Sequence, residues 1–316
     1  VAAHQQRFYG IELDPANQIL VTVGATEAIA ASILALCAPG DEVVTFEPYY
    51  DSYAATIALA GAQRRTCVLR FPDFAIDPDE LRSAFSERTR AVLLNSPHNP
   101  TGKVFTRAEL ELVAGLAREY DAWVVTDEVY EHLVFDGREH IPMSTLPGMA
   151  EQTLAISSAG KTFSTTGWKV GWVSGPAPAV AGVRGVKQFL TYVGSGPFQL
   201  ATATGLGLAD EVYAALADSL QGKRDLLVAG LRSAGLAVAV PQGTYFVIAD
   251  VSSLGVSDAL AFCRDVIAQR AGVVAVPVSV FCDAVAAARS LVRFAFCKRD
   301  EVLADAAARL ARLTIE

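Results

Sequence analysis

The sequence predicts an α/β fold in which a large unit built on a mainly parallel sheet is followed by a smaller α+β unit. Three observations carry this. Short runs that are apolar on both faces (42–46, 91–95, 123–126, 153–157 and 170–174) alternate with helical patterns, as the strands of a helix-covered parallel sheet do. From about residue 209 the texture changes to a long helical stretch and then to short strands mixed with helices. The residues with the most chemistry, Asn99, Asp127 and Lys161, stand just past strand ends, where open α/β sheets bind ligands.

Taken in order, residues 1–9 read as the end of a helix and 19–23 as a strand. Gly24-Ala25-Thr26 then opens an apolar helix. The helix over 107–120 starts with a capping box, Thr106-x-x-Glu109, and Leu110, Val113, Ala114 and Ala117 follow at helical spacing. A long helix is predicted over 209–234. After it, 236–240, 245–250, 273–276 and 291–296 read as strands, and 257–268 and 300–313 as helices. The division falls at 208/209, which gives a large unit of residues 1–208 and a small one of 209–316.

A chain of 316 residues, 52% of them hydrophobic, has ample material for a core. A net charge of −8 with no basic run argues against nucleic acid or an anionic membrane surface as partner. No apolar stretch is long and uninterrupted enough to span a bilayer, and no signal peptide is visible. Five scattered cysteines without a Cys-x-x-Cys read as reduced core residues of a cytoplasmic protein. His4, His98, His132 and His140 show no metal-ligand spacing, so no metal is expected, and His98 reads as structural.

Lys161 is the residue to argue from. It lies in Ser158-Ala159-Gly160-Lys161, after an apolar strand and among small and hydroxyl residues, with Lys169 close behind. A partly desolvated amine in such a setting is a nucleophile toward aldehydes. Asp127 closes a strand, and Tyr130 is expected one helical turn on. A carboxylate held against a pyridine nitrogen keeps that nitrogen protonated, and a phenol beside it can reach a ring oxygen. Asn99 is an amide donor on a loop. The free N–H groups of Gly24, Ala25 and Thr26 at a helix start suit a phosphate. Arg293, inside an apolar strand, needs an anion, and a substrate carboxylate would satisfy it bidentately. Each has a simpler reading: an ordinary helix start, an N-cap at Asp127, turn chemistry at Asn99, an ion pair at Arg293. Tyr49, Tyr50 and Tyr53 likewise read as plain aromatics. Their fixed order and separations speak against coincidence.

Together these residues resemble a fold type I, pyridoxal 5′-phosphate (PLP)-dependent aminotransferase of class I/II. The likeness is greatest to the kynurenine, glutamine and methionine aminotransferase branch and to actinobacterial N-succinyldiaminopimelate aminotransferases. It runs from Gly24 to the C-terminal helix, and the separations from Asp127 to Tyr130, Asp127 to Lys161 and Lys161 to Lys169 match the family. The resemblance implies PLP as cofactor and Lys161 as the Schiff-base lysine and proton carrier. It implies Asp127 at the ring nitrogen, Tyr130 and Asn99 at the ring oxygen, and Tyr50 stacked on the ring. Gly24, Ala25, Thr26, Ser158 and Lys169 fall to the phosphate, and Arg293 with Asn99 to the substrate. A homodimer acting on a small amino acid and a 2-oxo acid is expected.

Within the family, the runs 187–194, 243–246 and 294–300 favour N-succinyl-LL-2,6-diaminopimelate as donor and 2-oxoglutarate as acceptor. Gly194-Ser195 stand where kynurenine and glutamine enzymes usually carry an aromatic–histidine pair, which would open the pocket to a longer polar side chain. Compared with the family, a chain beginning at Val1 lacks the N-terminal arm and the first part of the small domain, and reads as N-terminally incomplete. The rival readings are a kynurenine, glutamine or methionine aminotransferase, a PLP-dependent cysteine-S-conjugate β-lyase, and an inactive PLP-binding fragment or regulatory domain. Ser158-x-x-Lys161 also matches the nucleophile motif of penicillin-binding proteins, but the companion Ser-Asp-Asn and Lys-Thr-Gly are missing.

Overall fold

The structure, a computed structural model, describes residues 1–194 and 196–313. Helix α1 (Ala2–Tyr9) leads to β1 (Ile19–Val23), α2 (Gly24–Leu36), β2 (Glu42–Glu47), α3 (Asp51–Leu59) and β3 (Gln63–Val68). Next come α4 (Pro78–Ala84), β4 (Thr89–Asn95), α5 (Arg107–Glu119), β5 (Trp123–Asp127) and β6 (Thr153–Ser158). The short α6 (Ala159–Thr162), β7 (Val170–Ser174), α7 (Ala177–Leu190) and α8 (Gly196–Leu206) follow.

These strands form a seven-stranded sheet in the order β1-β7-β6-β5-β4-β2-β3. The pairs from β3 through β6 are parallel, whereas β7 runs antiparallel to both β6 and β1. The parallel strands therefore end on one edge, and antiparallel β7 starts there. That edge collects the residues after β1, β2, β4, β5 and β6 together with Lys169 before β7. Two apolar layers flank the sheet. One holds Val44, Phe46, Leu94, Leu110 and Val113; the other holds Ile29, Ile33, Leu93, Ile156 and Val180.

A second sheet is built wholly from later residues. After the long α9 (Asp210–Ser233) come β8 (Ala237–Ala239), β9 (Phe246–Asp250), a helix that starts as α10 (Ala259–Ala261), β10 (Val276–Pro277), β11 (Leu291–Ala295) and α11 (Asp300–Ala311). The order is β10-β11-β9-β8, all antiparallel. Leu227, Leu231, Val247, Val292 and Leu303 close its core against α9 and α11.

Most expected elements stand within a residue or two of their predicted bounds, including the capping box, where Thr106 Oγ1 accepts from the Glu109 N–H and Glu109 accepts from the Thr106 N–H. Three differences have physical reasons. β3 escaped the reading because it is an edge strand whose Gln63, Arg64 and Arg65 break the apolar run. The helix expected over 257–268 starts at Ala259, capped by Asp258, and then widens to π geometry over Phe262–Ala271. Its buried Cys263, Ile267 and Ala271 recur every four residues, a spacing the wider turn keeps on one face. The expected strand over 273–276 shrinks to Val276–Pro277, which pairs with β11 through two residues.

Candidate active site

The strand ends converge on one pocket lined by Gly24, Ala25, Thr26, Tyr50, Asn99, Asp127, Tyr130, Ser158, Lys161 and Lys169. These are ten of the site residues expected from the sequence. Arg293, the remaining one, joins through Asn99, whose Oδ1 accepts from Arg293 Nη1 at 2.9 Å.

Asp127 occupies the floor. Its backbone carbonyl accepts from Asn95 Nδ2 at 2.7 Å, and Asn95 Oδ1 in turn accepts from the Asn99 N–H at 2.6 Å, so Asn95 ties the β4 and β5 ends together. Asp127 Oδ2 accepts from Tyr53 Oη at 2.6 Å and Oδ1 from the Val129 N–H at 3.3 Å. Burial raises the Asp127 carboxyl from its ordinary value to about 6, against the opposing pull of the Tyr53 and Val129 hydrogen bonds and the Lys161 charge. Among the described residues that carboxylate makes no ion pair, so the arrangement can accept a cationic group.

Tyr130 is fully buried, and burial together with Tyr245 lifts its phenol well above the ordinary range, so it stays a protonated donor. It is not on a helix, as expected, but in a turn where the Glu131 N–H reaches Glu128 O and the Leu133 N–H reaches Tyr130 O. The Glu128 N–H still pairs with Ile156 O, which extends the β5–β6 ladder past Asp127 and keeps the chain from coiling there. For the same reason Asp127 is not a helix N-cap.

Val23, the residue before α2, gives that helix no side-chain cap. Gly24, Ala25 and Thr26 at its start line the cavity, so the first N–H groups and the positive end of the helix dipole are available to an anion there. Lys169 sits in the left-handed region (φ 55°), and its Cε and Nζ would each lie 3.6 Å from a Cβ placed on Gly24. Gly171 permits the approach of β7 to this helix start: a Cβ there would meet the Gly24 carbonyl carbon at 2.5 Å and the Ala25 nitrogen at 2.6 Å. Ser158, buried, ends β6 at the same wall.

Lys161 lines the same pocket, and its Nζ donates to Tyr245 Oη at 2.8 Å. Arg293 is half-buried, with its guanidinium 4.1 Å from the Phe246 ring centroid and 4.6 Å from that of Phe281. Among the described residues no carboxylate lies within 4.0 Å of it, and desolvation by burial lowers its pKa. A guanidinium so placed can bind an anion bidentately.

Sequence reasoning missed Tyr53, Asn95 and Tyr245 as working groups. Tyr53 and Asn95 each stand a few residues from a residue that was named, Tyr50 and Asn99; Asn95 ends β4, and Tyr53 lies in the first turn of α3. Tyr245 was quoted only as part of a motif. His98 is buried, and its Nδ1 lies 2.7 Å from Thr101 Oγ1. The fold also brings His4 Nε2 within 2.7 Å of His132 Nε2 beside Glu131, three ligating groups that spacing along the chain could not reveal. Burial depresses His4 to about 4 and His132 to about 3, so the rings meet as a neutral hydrogen-bonded pair at pH 7. Of the small pair Gly194-Ser195, Ser195 lies outside the described residues.

The chain matches the model of the aminotransferase class I and II family over residues 1–310. It is 50% identical to a Mycobacterium tuberculosis protein named as a probable N-succinyldiaminopimelate aminotransferase, with 99% of this chain and 81% of the relative covered. It is 42% identical to the methionine aminotransferase of Escherichia coli, again covering 99% and 81%. Its fold superposes on the solved N-succinyldiaminopimelate aminotransferase from M. tuberculosis with a TM-score of 0.96 at 51% identity, covering 99% of this chain and 82% of that one.

Proposed function

The chain belongs to the class I and II aminotransferases, and from that premise we propose that it uses pyridoxal 5′-phosphate to transfer the amino group of N-succinyl-LL-2,6-diaminopimelate to 2-oxoglutarate. One observation carries the cofactor: a single pocket holds a carboxylate, a lysine amine and an uncapped helix start, all on the edge where the sheet strands end. The donor set fits PLP. Asp127 is a buried acid lacking a cation for a ring nitrogen, Lys161 an amine for an aldehyde, and the α2 start with Ser158 and Lys169 a cradle for a phosphate.

When bound, the cofactor supplies an aldehyde that takes the amino group and a protonated ring that accepts the electron pair left on the substrate carbon. Every other task falls to the chain. Asp127 holds the proton on the ring nitrogen, and its hydrogen bonds from Tyr53 and Val129 keep the carboxylate aimed. Tyr130 and the free amide of Asn99 donate toward the ring oxygen, while Tyr50 covers a ring face. Gly24, Ala25 and Thr26 offer the phosphate backbone N–H groups; Lys169 adds a point charge rather than a fork. Lys161 Nζ would take the proton from the substrate Cα and deliver it to C4′, the carbon that carried the cofactor's aldehyde. Arg293 grips the α-carboxylate of donor and acceptor in turn, and the Phe246 and Phe281 faces keep water from its planes.

The donor assignment is supported by the M. tuberculosis relative and by Gly194-Ser195. We further propose a large domain of residues 1–208, a small domain of 209–316 and a cytoplasmic homodimer. Supporting the dimer, Phe189, Tyr192, Val193 and Leu200 are exposed around the α7–α8 connection, a cluster that a second copy would cover. The test of the donor is kcat/KM measured for the succinylated diamine, kynurenine, methionine and glutamine, each with 2-oxoglutarate. The diamine should lead. A preference for any of the other three would overturn the donor and leave the aminotransferase chemistry standing.

A further inference from the structure

We propose that Tyr245 is a positioning residue for Lys161. Its hydroxyl holds the lysine amine whenever that amine is not bonded to the cofactor, and so sets how readily an incoming amino group displaces it. This deepens the reading above and rests on its assignment of PLP to Lys161.

The contact is direct: Lys161 Nζ donates to Tyr245 Oη at 2.8 Å, and among the described residues it is the one hydrogen bond the amine makes. A freed lysine has a long, flexible stem whose rotamers must be restricted before it can work as a base at one atom. A fixed acceptor does this only if it is itself immobile, and Tyr245 is. Its carbonyl accepts from the Phe296 N–H at 2.9 Å. The preceding Thr244 is buried, in the left-handed region at φ 67°, with its N–H on Leu133 O at 2.9 Å and its Oγ1 accepting from the Phe246 N–H. The Tyr245 ring packs edge-on against Tyr130, centroids 5.4 Å apart at 85°.

The two partners come from different sheets. Lys161 follows β6 of the large sheet, while Tyr245 precedes β9 of the small one, next to Phe246, whose ring faces the Arg293 guanidinium. The small sheet thus contributes both the grip on the substrate carboxylate and the resting place of the amine that the substrate displaces.

The sign of the effect separates this role from simple packing. Removing the hydroxyl destabilises the displaced amine and leaves the cofactor-bound amine untouched. Tyr245→Phe, which keeps the ring, should therefore hold PLP about tenfold more tightly, the size expected for one hydrogen bond. It should also need about tenfold more of a 2-methyl amino acid, which has no Cα proton to lose, to displace Lys161. Damage to the pocket would do the opposite and loosen PLP.

The experiment titrates wild-type and Tyr245→Phe holoenzyme with the 2-methyl amino acid, following the visible band of the lysine-bound cofactor. PLP affinity is measured for both in the native and the Lys161→Ala background. The Phe effect should vanish when Lys161 is absent, closing a double-mutant cycle. Identical titrations of wild type and Tyr245→Phe, looser PLP binding in Tyr245→Phe, or an effect that persists in Lys161→Ala would each overturn the proposal. A wild-type protein with no visible band would bring down the PLP reading itself, and this proposal with it.

Discussion

Asp127→Asn should make the cofactor-free protein more stable at neutral pH while removing its ability to hold a protonated ring nitrogen. Asp127 is fully buried, and its carboxyl titrates at about 6 in the fold against 3.8 ordinarily. The folded state therefore binds the proton more tightly than the unfolded chain. Its favourable contribution is complete below pH 4 and is lost as pH rises through 6. A carboxyl raised that far destabilises the fold by about 3 kcal/mol above pH 6. Asparagine avoids that cost but gives up one of the two oxygens that accept from Tyr53 and Val129, a loss of about 1 kcal/mol. The net gain is about 2 kcal/mol at pH 8 and none at pH 4, or about 2–5 °C in Tm at the higher pH.

The assay is thermal unfolding of cofactor-stripped wild type and variant from pH 4 to 8, repeated with PLP. Without PLP the two curves should diverge through pH 6. With PLP the order should reverse, because only the wild type gains a paired cation. A Tm difference that does not change with pH, or a stripped wild type that is the more stable protein at pH 8, would refute the reasoning.

Two further substitutions probe the ends of the pocket. Arg293→Lys replaces a planar fork by a point charge between Phe246 and Phe281; KM for both the amino donor and 2-oxoglutarate should rise about 10- to 100-fold with PLP still bound, and an unchanged KM for both would remove Arg293 from the carboxylate site. Gly171→Ala would drive a Cβ to 2.5 Å from the Gly24 carbonyl carbon, so it should cost about 1–3 kcal/mol in stability and weaken PLP through its phosphate end; a variant with wild-type Tm and PLP affinity would show that the close β7–α2 approach is dispensable.

What the sequence made legible was whatever is local along the chain. Asn99, Asp127 and Lys161 each stand just past the end of an apolar run, so the strand pattern alone brings them to one edge. Gly24 was readable because it separates a strand from a helix. What escaped is non-local. Tyr53 meets Asp127 across 74 residues, and Tyr245 meets Lys161 across 84, with no periodicity to announce either contact. The buried acids Glu128 and Glu131 escaped for a related reason: their partners, His140 and Ser157, arrive from other segments, so nothing in the stretch around Tyr130 distinguishes it from a solvated helix. The turn at Tyr130 follows from the same contacts, since the Glu128 N–H is committed to β6 before a helix could begin.

The claim on which the account depends is that Lys161 carries the cofactor. Protein reconstituted with PLP, reduced with borohydride and digested should yield one labelled peptide, with the pyridoxyl group on Lys161. Its visible band should be lost in Lys161→Ala. Labelling of any other lysine, or a visible band that survives in Lys161→Ala, would contradict the account.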